Sequence, residues 1–367
     1  MMNSRERVQR ALTRSGLPDR VPIQFDLCAS LLETFSARYG LEPDYSPAYY
    51  EDLKYRISAN ELRTRMGSDV VVVGAGLAEG YELEEDEQGF ITNEFGMKMR
   101  QGTLYMEVVE SPLRDATPED VEAYTFPDPH DPARYLRAEQ DIARYKDDYF
   151  IIGDCELTMF ELNWHLVGME QYMLDLAMGA DYIERLLEKA HHWSLGIAQE
   201  LAHRGVDAIW FGDDFGSQTG LLLSPRMWRR VFKPLYANIF AAAKAENPDL
   251  LIIFHSDGAV AELLPDLIEI GMDVFNPVQP NVPGHEPHQL KEQFGDDVSF
   301  FGAIDQQHLL PQGTMEEIEA DVREKIAILG EGGGYMIAPA HIIQADTSPE
   351  RVEAFIEAAR AYGGYDT

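Results

Sequence analysis

Eight short apolar runs alternate with helical segments along the chain, and this pattern predicts a (β/α)8 barrel with a β-hairpin insertion after the second strand. Two further observations agree. The runs are separated by capped helix starts rather than by tight turns. Chemistry-bearing residues gather just past the C-terminal ends of the runs, where a parallel barrel keeps its site. The other architecture that this alternation allows is a doubly wound open sheet.

The first strand is read at 21–25 (VPIQF) and the second at 69–73 (DVVVV), whose unbroken apolar run suits burial on both faces. The third to eighth strands are read at 150–153, 208–212, 251–254, 273–275, 298–302 and 335–338. Helices are expected at 46–66 and at 180–203, the latter with Ile183, Leu186, Leu187 and Ala190 on one face. Ser224-Pro225 and Ser348-Pro349 are helix starts, a capping serine before a first-turn proline. Thr314 with Glu317 offers a capping box. Residues 80–110, around Gly89 and Gly96, read as a hairpin insertion, and 111–134, with five prolines, as an extended wrap. The expectation is one barrel domain over 1–367 with an insertion at about 80–134.

Composition narrows the function. The chain has 64 acidic and 30 basic residues, a formal charge of −34. Such a field repels nucleic acid and anionic membranes, so neither is expected as a partner. Eight Lys against 22 Arg fits either a salt-adapted host or an ordinary acidic enzyme. No run approaches the ~18 apolar residues of a membrane helix. The N-terminus has no apolar block after its charges, and two cysteines exclude a disulfide scaffold. A cytoplasmic enzyme with a small-molecule substrate is the expectation.

The strand ends carry Asp26, Asp154 with Glu156, Asp213 with Asp214, His255 with Asp257, Asn276 with Gln279, Asp305, and His341. His255 and Asp257 stand two apart, so a continuing strand points them the same way, to share a metal or to form an acid–base pair. The bland alternative is that Asp257 caps a helix beginning near Val260. His341 follows strand eight and faces the mouth of a barrel, or is tied to a loop carbonyl. Of the adjacent acids after strand four only one enters the mouth, and Asp214 is the expected one. Glu161 lies in a first helical turn, where the helix dipole favours an acid in any case.

Several motifs fail. Gly74-Ala75-Gly76-Leu77-Ala78-Glu79-Gly80 has the wrong spacing for a dinucleotide loop and runs into acids instead of a helix. Asp214-Phe215-Gly216 lacks every other kinase element. His285-Glu286-Pro287-His288 is too short for a zinc-protease helix and contains proline. Gly332-Gly333-Gly334 reads as a turn and His191-His192 as helix surface. Cys28 and Cys155 read as inert buried thiols.

Together these residues resemble the uroporphyrinogen decarboxylase superfamily, which includes methyltransferases that work with corrinoid proteins. The resemblance runs from Ser4-Arg5-Glu6-Arg7-Val8 and Pro18-Asp19-Arg20-Val21-Pro22 through Phe160-Glu161, Trp164, Asp213-Asp214 and Leu223-Ser224-Pro225. It continues in Phe254-His255-Ser256-Asp257-Gly258, Asp266 to Gly271, Asn276-Pro277-Val278-Gln279, Gly302-Ala303-Ile304-Asp305, Gly332-Gly333-Gly334-Tyr335 and Pro339-Ala340-His341. The resemblance implies a (β/α)8 barrel.

Two departures argue against a porphyrinogen substrate. The family's Arg-rich loop after strand one is replaced here by Asp26-Leu27-Cys28-Ala29-Ser30, and the position of its catalytic Asp after strand two falls near Gly76. The methyltransferase branch binds zinc through His-x-Cys after strand five and a later Cys. His255 matches the first ligand, but Asp257 replaces the Cys, and no cysteine follows Cys155. The resemblance therefore implies a nitrogen–oxygen zinc site at His255 and Asp257, with Glu161 or His341, suited to polarising an oxygen.

The leading expectation is a methyltransferase or O-demethylase-type enzyme that passes a methyl group to a corrinoid protein. His341, Asp214 and Glu161 would be catalytic, and Asp26, Asn276, Gln279 and Asp305 would contact substrate. The alternatives are a metal-free decarboxylase of a small or pyrrolic acid and a non-catalytic partner of a corrinoid protein. A homodimer is a family expectation.

Overall fold

A computed structural model describes residues 2–50, 54–103 and 105–365. Among these residues the strands are β1 (Val70–Gly74), β2 (Ile91–Thr92), β3 (Lys98–Gln101), β4 (Met106–Glu110), β5 (Phe150–Glu156), β6 (Ala208–Gly212), β7 (Leu251–His255), β8 (Val274–Val278), β9 (Ser299–Ile304) and β10 (Tyr335–Pro339). One parallel sheet runs in the order β1-β5-β6-β7-β8-β9-β10. Segment 21–27 occupies the eighth position: Ile23 and Leu27 bridge in parallel to Ile337 and Ile343, and Asp69 N donates to Ile23 O at 2.8 Å. The sheet thus closes into a (β/α)8 barrel.

The expected strands agree with those observed to within a few residues at each end. The reason is burial: Val70, Val71, Val72 and Val73 are all 2% exposed or less. Each fully buried side chain of this kind contributes about 1.5–3 kcal/mol, so strands packed on both faces are written as continuous apolar runs. The register places His255 opposite Asn276, a pairing that matters below. Pro277 has no N–H for the ladder, and the β8–β9 register shifts between Phe275 and Val278.

The N-terminal helix Ser4–Thr13 packs against this barrel. Arg7 and Arg20 both bind the buried carboxylate of Asp69, at 2.8 and 2.7 Å, and Ile23 N donates to its Oδ2 at 2.9 Å. Arg7 and Arg20, from the family-like pattern, therefore join Asp69 in securing the N-terminal end of the barrel, where strand-end residues serve stability.

Two stretches differ from expectation. The helix read at 46–66 is present only in part: residues 46–50 are not helical, and the described residues beyond form Lys54–Ile57 and Asn60–Met66, with Ala59 in the left-handed region at φ 53° between them. The expected hairpin insertion is present, and its antiparallel pairings build a three-stranded sheet, β2-β3-β4. The wrap at 111–134 contains a short helix, Pro118–Ala123, fixed by a Thr117–Asp120 capping box. Among the described residues no helix is long and apolar enough to cross a membrane.

Candidate metal centre

The C-terminal ends of β7 and β10 bring His255, Asp257 and His341 together. One ligand atom from each lies within 4.8 Å of the other two. His255 is 5% exposed and Asp257 has 31% of its side chain exposed, so the group sits where buried barrel meets open mouth.

His255 is oriented from behind. Asn276 Nδ2 donates to Phe301 O at 3.4 Å, which turns its Oδ1 toward the barrel axis. That oxygen accepts from Trp210 Nε1 at 3.1 Å and from His255 Nδ1 at 2.7 Å. The proton on Nδ1 is thereby assigned by the network, and Nε2 faces Asp214 Oδ1 at 3.7 Å and Asp257 Oδ1 at 3.9 Å. A histidine fixed through one nitrogen with the other presented is the usual arrangement of a metal ligand.

Two loops hold the carboxylates. Asp257 N donates to Asp214 Oδ1 at 2.7 Å, and Phe215 N to Ser256 Oγ at 2.9 Å. The backbones meet at Gly216 and Gly258. A Cβ on Gly258, whose φ is +83°, would lie 2.4 Å from Gly216 C. Gly258→Ala is expected to destabilise the chain by about 2–4 kcal/mol, from left-handed strain plus overpacking, read as a shift in the urea unfolding midpoint. An unchanged midpoint would contradict this tight approach.

Asp213 turns away from the mouth. Its carboxylate accepts from Met159, Phe160 and Glu161 N–H at 2.8–2.9 Å and from the Tyr236 hydroxyl, capping the helix Phe160–Val167. Asp214 is the acid that faces His255. Glu161 reaches the same place, with Oε2 accepting from Asp214 N at 3.1 Å. Asp257 does not cap the following turn, Ala261–Leu263, whose N-cap is Val260.

The other sequence-predicted residues lie around this cluster. Gln279 Oε1 accepts from Gly258 N at 2.6 Å and so steadies the Asp257 loop. Asp26 is bound by Arg63 at 2.5 Å. Asp305 accepts from Gln307 and His308 N–H and from Asn281 Nδ2, all within its own rim. Cys28 and Cys155 are buried thiols outside the cluster.

Three participants were not foreseen. Arg56, 4% exposed on its side chain, enters from the broken helix, binds Glu156 Oε2 at 2.5 Å and Asp154 Oδ1 at 3.5 Å, and lies over the Trp210 ring at 4.1 Å. Arg63 joins it below. Tyr105, from the insertion, meets His341. The only sequence signal for Arg56 was an arginine within an otherwise ordinary helical stretch.

Burial and neighbours set the protonation. Burial pushes Asp257 up to about 7, and the nearby Asp214 adds to the effect. Burial, then Asp214 and Asp213, raises Glu161 well above the usual range. His255 resists charging because it is buried, but Glu156, Asp257 and Asp214 overcome this and raise its pKa. His341 is pushed down to about 3 by burial, with His255 and Arg56 adding to the effect. Glu156 is also opposed by burial, yet Arg56 and His255 hold it below its ordinary value.

The donor set fits a divalent ion of nitrogen–oxygen preference such as zinc. His341 Nδ1 is buried with no hydrogen-bond partner. The protons that Asp257 and His255 hold are those a cation would displace. The Gly74–Gly80 loop, by contrast, lines a separate cleft of about 360 Å3 with Ser46, Arg134 and Leu136, and none of the cluster residues line it.

A closed parallel barrel whose mouth gathers His, Asp and Glu side chains defines a class of barrel proteins with a candidate metal site. Within that class, the family model described as uroporphyrinogen decarboxylase matches residues 90–362, and the chain belongs to this family. A methyltransferase from Methanosarcina mazei shares its fold at TM-score 0.71, with 18% identity over 99% of each chain. The catalytic core of a xylanase A, 11% identical over 64% of this chain and 86% of its own, and an alpha-amylase from Geobacillus thermoleovorans, 11% identical over 82% and 69%, both score 0.39. No curated protein matched the sequence.

Proposed function

We propose that this chain is a metal-dependent methyltransferase of the O-demethylase type, which takes a methyl group from a small methylated substrate and passes it to a corrinoid on a partner protein. The observation that carries the reading is the His255–Asp257–His341 group, whose ligand atoms lie within 4.8 Å of one another. Family membership and the fold shared with a methyltransferase support it.

His255, Asp257 and His341 would hold the ion. Zinc there would supply Lewis-acid polarisation of a substrate ether or hydroxyl oxygen, the chemistry a thiolate-free site favours. Asn276 holds His255 so that Nε2 faces the mouth. Asp214 sets the Asp257 loop through the backbone N–H that it accepts. Glu161, kept protonated by burial beside two acids, is placed to give a proton to the departing oxygen from the carboxyl oxygen that does not bind Asp214 N. His341, held neutral, acts as a lone-pair donor rather than as an acid.

Metal content of chain purified without added metal or chelator, for wild type and His255→Ala, tests this reading. About one zinc per chain, lost in the variant, is the outcome a single His-anchored site requires. Wild-type protein that neither carries metal nor binds it on titration would remove the reading. Acid–base decarboxylation would then lead.

A further inference from the structure

The sheet of the insertion is fixed at its base by buried contacts. At its base Phe95, Met97 and Met99 are buried, and Asn93 Oδ1 accepts from Phe95 and Met97 N–H at 3.1 Å. Glu94 pairs with Arg134 at 2.5 Å, where both side chains are 4% exposed or less, and Tyr124 Oη donates to Phe95 O at 2.6 Å. At the far end the chain turns between β3 and β4, with Gly102 N donating to Tyr105 O at 2.8 Å. A Cβ on Gly102 would lie 2.6 Å from Glu107 Oε1 and 2.9 Å from Tyr105 O, so the turn that presents Tyr105 depends on glycine.

Tyr105 is 38% exposed, yet its ring meets the His341 ring edge-on, with centroids 5.4 Å apart and planes at 89°. The His341 ring also faces His255, at 6.1 Å. His341 therefore lies between a ring of the barrel site and a ring carried by the insertion. The base of the sheet is held by contacts separate from this pair.

We propose that Tyr105 is the outer wall of the barrel site, screening His341 from solvent and limiting the size of molecule that reaches His255. The inference rests on the location of the site read above, while its test is independent of methyl transfer.

Diethyl pyrocarbonate labels accessible imidazole nitrogens, and peptide mass spectrometry reads each histidine separately. The experiment uses full-length, chelator-treated protein, with His308, 73% exposed on its side chain, as the internal standard. Tyr105→Ala should raise His341 labelling severalfold relative to His308. Tyr105→Phe should label as wild type does, and the melting temperature should hold in both. If alanine disturbs the turn, Tyr105→Leu repeats the test without the ring. Unchanged His341 labelling in a folded ring-less variant overturns the proposal, as does an equal rise in Tyr105→Phe. Absence of metal from wild type would remove the function proposed above and leave the labelling result standing.

Discussion

Arg56→Met is expected to destabilise the chain by about 3–5 kcal/mol, the cost of removing one partner from a buried ion pair. The guanidinium is held among Glu156, Asp154 and Asp26, at 2.5, 3.5 and 3.7 Å, and all four side chains are 11% exposed or less. Without it three carboxyls face one another in the barrel interior, with Arg63 beside Asp26 and His255 beside Glu156. Equilibrium urea unfolding should show the midpoint falling with little change in slope. Glu156→Gln added to Arg56→Met should recover part of the loss, because it removes an acid that has lost its partner. A single variant as stable as wild type would mean that the network is neither buried nor paired as described.

The same network gives a pH dependence of unusual sign. Burial pushes Asp154 to about 7, against Arg56, from an ordinary value of 3.8. Between those values the folded chain keeps a proton that the unfolded chain has released. Stability from this group is therefore fully present below about pH 4 and is lost as pH rises through 7. Asp154→Asn should flatten that part of the stability profile, and a profile unchanged by the substitution would count against the shift.

How much of this was legible beforehand follows from what each element must bury. Strands such as 69–73 and 208–212 were plain because a parallel barrel strand is packed on both faces, which favours an unbroken run of apolar residues. Asp214 was separable from Asp213 because neighbours on an extended chain point opposite ways. Asp257 beside His255 was legible from spacing alone, whereas their approach to Asp214 depends on Gly216 meeting Gly258, a contact between loops 42 residues apart. Arg56 was not legible. The 46–66 stretch has helical composition, yet 46–50 are not helical and the left-handed Ala59 separates the helix that carries Arg56 from the next one. Tyr105 carried no signal, since the position of an insertion over a barrel mouth is set by tertiary packing. Asn276 was read as a residue that contacts substrate, and its pairing with His255 across the β7–β8 register was not legible.

That register leads to the second large effect. Asn276→Leu keeps the volume but removes the one oxygen that accepts from both Trp210 Nε1 and His255 Nδ1. Zinc affinity should fall by about 10–100-fold, the usual consequence of losing the partner that orients a ligating histidine. Asn276→Asp separates orientation from packing. A carboxylate still accepts from both donors, and only the weak bond to Phe301 O, at 3.4 Å, is lost. The aspartate variant should therefore bind zinc nearly as wild type does while the leucine variant does not. Nitrogen-15 shifts of His255 should show the Nδ1–H tautomer retained in the first and mixed tautomers in the second. Equal affinity in all three proteins would mean that the backbone alone sets the His255 ring, and the case for a site pre-shaped to receive metal would fail with it.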